Sequence, residues 1–72
     1  MILKNKKQIL GLCMKYERAK KDTKALGEWQ DALWDEGLSL SIIFDEAAWV
    51  AEDLGEENLA ARCLKHLDDL VG

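Results

Sequence analysis

The chain has 72 residues, with ten Lys and Arg against fourteen Asp and Glu, one His, two Cys, three Trp and no Pro. That length allows one domain, residues 1–72, whose core is so small that dense packing, a cross-link, a metal or association must help to hold it. Two cysteines exclude a multi-disulfide framework, and no apolar stretch approaches the ~20 residues of a transmembrane helix.

With no proline, abundant Ala, Leu, Glu and Lys, and no sustained period-2 alternation, the sequence predicts an all-α fold. The expected architecture is a compact bundle of three to four short antiparallel helices. The N-terminal lysines precede an apolar run at 9–14 that is too short for a signal h-region, and no small-residue cleavage site follows it. Cys13 and Cys63 read as reduced, buried thiols, and the expected location is the cytoplasm.

The net charge of −4 conceals a split. Residues 1–24 set eight cations against Glu17 and Asp22, a net +6, while residues 25–72 set Arg62 and Lys65 against twelve carboxylates, a net −10. An asymmetry of this size bears on partners more than on fold.

In chain order, a first helix is predicted to start within residues 3–7 and run to Lys20 or Lys21. Ile2, Ile9, Leu12, Cys13 and Tyr16 share a face, widened by Leu10 and Met14. Lys4, Lys7, Lys15 and Arg18 line the opposite side around Gly11, and Lys20, Lys21 and Lys24 cluster where a helix C-terminus favours cations. Asp22 or Thr23 offers an N-cap for a second helix over about 23–36, with Leu26, Trp29 and Leu33 as its core stripe and Trp34 pointing away. Gly27 leaves open a break there instead of at Asp22.

Gly37 suits the end of that helix, and Ser39 or Ser41 the cap of the next. On the third helix, over 40–54, Leu40, Ile43, Phe44, Ala47, Val50, Ala51 and Leu54 form an inner stripe. Ile42 and Trp49, seven residues apart, fall together on the other side among Asp45, Glu46, Glu52 and Asp53. They read either as core beneath another helix or as an exposed interface. Gly55 supplies a left-handed terminus. A fourth helix follows with Leu59, Cys63, Leu67 and Leu70 buried and Ala60 and Leu64 beside them. Residues 47–54, the Leu54-Gly55-Glu56 turn and residues 59–67 resemble the helical hairpin of a tetratricopeptide repeat, and Leu26-Gly27-Glu28 echoes that turn 28 residues earlier. The resemblance implies an antiparallel hairpin and no activity. The family's aromatic after the turn and its closing proline are missing.

Little points to catalysis. His66 has Asp69 at i+3, but no nucleophile is suitably spaced and there is no Gly-rich phosphate loop, so His66 reads as a surface or boundary residue and the chain as no enzyme. Cys63 and His66 could ligate zinc only with Cys13 and an unpaired carboxylate, and Glu28, Asp31 and Asp35 read as a solvated face, so no metal or cofactor is expected. A membrane-surface role would take helix one's apolar face from the core.

The sequence therefore predicts a small protein-binding accessory or regulatory protein, an adaptor or inhibitor of the kind phages and plasmids encode. Its expected site is Trp34, Ile42, Asp45, Glu46, Trp49, Glu52 and Asp53, facing a partner with a basic surface. One alternative is nucleic-acid association through Lys4, Lys7, Lys15, Arg18, Lys20, Lys21 and Lys24. Another is a homodimer that sets the basic first helix of one copy against an acidic face of the next.

Overall fold

A computed structural model describes residues 3–72. It contains four helices, α1 (Lys6–Ala19), α2 (Thr23–Asp35), α3 (Leu40–Asp53) and α4 (Glu57–Val71), with no strand among the described residues. The fold is a small all-α bundle with Cα extents of 34 × 23 × 21 Å.

Local chemistry sets the helix ends. The Asn5 side chain accepts from the Gln8 backbone N–H at 2.9 Å, and the Gln8 side chain accepts from the Lys4 N–H, so α1 opens with two donors satisfied. Asp22 caps α2 by accepting from the N–H groups of Lys24 and Ala25, so the break lies at Asp22 and Gly27 stays within the helix. Ser39, not Ser41, caps α3 through the Ile42 N–H.

Helices α2 and α3 both end in a Schellman turn. Gly37 and Gly55 have φ of +78° and +75°, which only glycine adopts without strain. At the first, Gly37 N–H reaches Trp34 O and Leu38 N–H reaches Leu33 O; at the second, Gly55 N–H reaches Glu52 O and Glu56 N–H reaches Ala51 O.

Helices α3 and α4, joined by three residues, make the most extensive helix–helix contact, the hairpin implied by the repeat-like spacing. Small side chains allow the close approach: Ala47, Ala48, Ala51, Ala60 and Cys63 are all buried. Helix α1 lies against α4, α2 and α3, whereas α2 packs chiefly on α1. Phe44 and Ile9 are the largest fully enclosed side chains, and Phe44 meets Tyr16 edge-on at 5.1 Å between ring centroids.

The core differs from the sequence reading at its margins. Leu54, placed on the inner stripe, is exposed because it is the C-cap residue of α3, beyond its last helical turn. Leu64 and Met14, set beside buried faces, are also exposed, and Val50, Leu67 and Leu70 are only partly covered. Ala48, left off the stripe, is buried. Lys4 precedes α1 and so leaves the helical basic stripe. Ile2, assigned to the first helix's apolar face, lies outside the described residues.

Candidate functional site

The outer side of α3 carries the exposed apolar pair. Trp49 is 69% exposed and Ile42 is 55% exposed. They lie two turns apart, ~10.5 Å along the axis. Asp45, Glu46, Glu52 and Asp53 surround them, all exposed, and none has a cation within ion-pair distance among the described residues. The inner side of the same helix is buried by α4 and α1, and α2 packs chiefly on α1, so among the described residues no helix covers this face. The arrangement is an apolar centre in a ring of unneutralised carboxylates.

Trp34 is 74% exposed but is not part of that centre. It lines a groove of about 330 Å³ with Gln30, Asp31, Ser41, Leu70 and Val71, between the end of α2 and the facing ends of α3 and α4. The residues expected to act together thus divide between the α3 face and this groove.

Few of the cations in the first 24 residues meet a carboxylate of the acidic helices among the described residues. Lys6 pairs with Glu56 at 3.3 Å, and Lys20 approaches Asp69 at 4.0 Å. Lys15 lies over the Trp29 ring, 4.8 Å from its centroid. Lys4, Lys7, Lys15, Arg18, Lys21 and Lys24 are exposed, with no carboxylate at ion-pair distance among the described residues. Met14, Lys15, Arg18 and Trp29 border an open groove of about 590 Å³ between α1 and α2.

The best-made ionic contact has the opposite polarity. Glu17, on the basic helix, accepts from Arg62, on the acidic one, through Nε at 3.0 Å and Nη2 at 2.7 Å, and Nη2 also reaches its second carboxylate oxygen. His66 Nε2 approaches Glu17 Oε1 at 3.2 Å. Arg62, and then His66, holds the Glu17 carboxyl below its usual pKa despite partial burial.

His66 is buried, not at the surface, because its ring packs against Tyr16 and Phe44, 4.9 and 5.4 Å away between centroids. Its Nδ1 is enclosed without a hydrogen-bond partner, since Asp69 stands 4.0 Å off. The residue read as a surface or boundary histidine is thus a member of the core. Next to this cluster, Cys13 and Cys63 meet in the interior at 3.8 Å between sulfurs.

The Glu17–Arg62–His66 contact was missed from sequence, yet it left a signal. Glu17 is one of two acids in the basic segment, and Arg62 one of two cations in the acidic remainder. Among the described residues, no three His, Cys, Asp or Glu side chains are grouped to hold a metal ion, and no helix is long and apolar enough to cross a membrane. Comparison with protein-family models, curated proteins and solved structures finds no match.

Proposed function

We propose that this chain is a small non-enzymatic accessory or regulatory protein of the cytoplasm, an adaptor or inhibitor that binds another protein through the outer face of α3. The observation that carries the reading is the exposure of Trp49 and Ile42 within four unpaired carboxylates. A large aromatic in a charged rim is the build of an interface anchor, and the anionic rim favours a partner with a basic surface.

The test is affinity capture from the native host with the wild-type chain and with Trp49→Ala as parallel baits. A basic protein retained by the first, lost from the second and released by raised salt is the expected result. The same proteins on both baits would contradict the reading.

A second reading, nucleic-acid association, draws on the unpaired cations of α1 and the turn after it. A gel-shift series across salt separates the two, since phosphate binding weakens steeply with salt and would be lost on Lys15→Glu with Arg18→Glu. No shift at low salt removes the alternative.

A further inference from the structure

The proposed binding face makes no use of the two strongest nucleophiles in the molecule. Cys13 on α1 and Cys63 on α4 are fully enclosed, with their sulfurs 3.8 Å apart across the helix interface. Disulfide length is ~2.05 Å, so closure needs about 1.8 Å of approach, shared between two side chains already in contact. The chain has no other cysteine. Any intrachain disulfide therefore joins this pair, and it links two helices fifty residues apart in sequence.

We propose that Cys13 and Cys63 are a disulfide-forming site, oxidised by hydrogen peroxide to a reversible cross-link that fastens α1 to α4. The Cys13 thiolate attacks one peroxide oxygen. The O–O bond breaks, the sulfur becomes a sulfenic acid, and hydroxide leaves and takes up the proton that Cys13 released. The Cys63 sulfur then attacks the Cys13 sulfur, the S–OH bond breaks, and the departing hydroxide takes the Cys63 proton. Two thiols and one peroxide yield one disulfide and two waters, with two electrons passing from the sulfurs to the peroxide oxygens.

The surroundings suit this order. Either thiol can donate in their contact; with Cys63 as the donor, its S–H holds Cys13 below the ordinary thiol range against the opposing effect of burial, and Arg62 favours charge there as well. Giving that hydrogen bond and being buried push Cys63 up, so Cys13 ionises first and Cys63 resolves. Because both sulfurs are enclosed, oxidant reaches them when α1 parts from α4, an interface less extensive than that of α3 with α4. The reaction is accordingly slower than that of an exposed thiol.

The test treats the folded chain, at low micromolar concentration, with hydrogen peroxide. The expected product is a monomer lighter by two hydrogens. On trypsin digestion, residues 8–15 should be joined to residues 63–65, and dithiothreitol should reverse the link. Its thermal midpoint should rise by roughly 10 °C or more, because the cross-link closes a long loop in the unfolded chain. Cys63→Ala, shown by circular dichroism to be folded, should give neither the joined peptides nor the rise. Two thiols still free after a treatment that oxidises the urea-unfolded chain would overturn the proposal. So would covalent dimers, or sulfinic acid at Cys13 in place of the cross-link.

Discussion

At the scale of single residues, Glu17 bridges α1 to two side chains of α4, accepting from Arg62 and lying 3.2 Å from His66 Nε2. Its carboxyl titrates below the usual value when folded, with Arg62 as the main cause. In the unfolded chain a Glu titrates near ~4.3. The unfolded state therefore takes up this proton at a higher pH than the folded one. The stability contributed is complete above the unfolded value and is lost as pH falls through the folded one. Glu17→Gln should cost about 1 kcal/mol near neutrality, a small figure because the pair is one-third exposed and screened. It should also flatten the loss of stability on acidification, read by urea unfolding at about pH 7 and about pH 3. Equal acid sensitivity in both chains would contradict this. Phe44, wholly enclosed between Tyr16 and His66, is a purely apolar counterpart. Phe44→Ala should cost ~3–5 kcal/mol in the same assay, enough to unfold a domain this small.

At the scale of elements, two glycines make opposite predictions. Gly55 ends α3 at φ +75°, so Gly55→Ala should destabilise by about 1 kcal/mol despite open space around it. Gly27 lies inside α2, and apart from the helix's own backbone and its chain neighbours no described atom lies within 4 Å of where a Cβ would stand. Gly27→Ala should stabilise by roughly 0.5–1 kcal/mol, read as a higher thermal midpoint. A loss on Gly27→Ala would mean that α2 needs to bend there.

These same positions mark what was legible in the sequence. Asp22, Gly37, Ser39 and Gly55 act on N–H and C=O groups a few residues away, so the cap chemistry located the ends of α1, α2 and α3 to within a residue or two. The exposure of Leu54, Leu64 and Met14 was not legible in that way. Periodicity gives the direction a side chain leaves its helix but not what lies opposite, and that depends on how four helices dock. The Glu17–Arg62 contact and the burial of His66 depend on the register of α1 against α4, which no local pattern encodes. Ile42 and Trp49 were legible as a pair on one face. Their exposure follows from α2 packing on α1 and leaving that face bare.

At the scale of the whole molecule, the charge split is not neutralised internally. The described ion pairs join α1 to α4 and to the turn before it, while the carboxylates around Trp49 and most cations of the first 24 residues remain unpaired. Two surfaces of opposite sign on one small body could complement each other between copies. Sedimentation at low and high salt reads this directly, and a monomer in both at tens of micromolar is expected if the α3 face serves another protein. A dimer that dissociates with salt would assign the face to a second copy.

The proposed role of Trp49 is recognition and not support of the fold, and the decisive quantity is the dissociation constant of the captured partner for the wild-type chain and for Trp49→Ala. With the variant's unfolding free energy within about 0.5 kcal/mol of wild type, the predicted weakening is ~30-fold or more, equivalent to ~2 kcal/mol. Affinities within threefold of each other, or a variant that no longer folds, would contradict it.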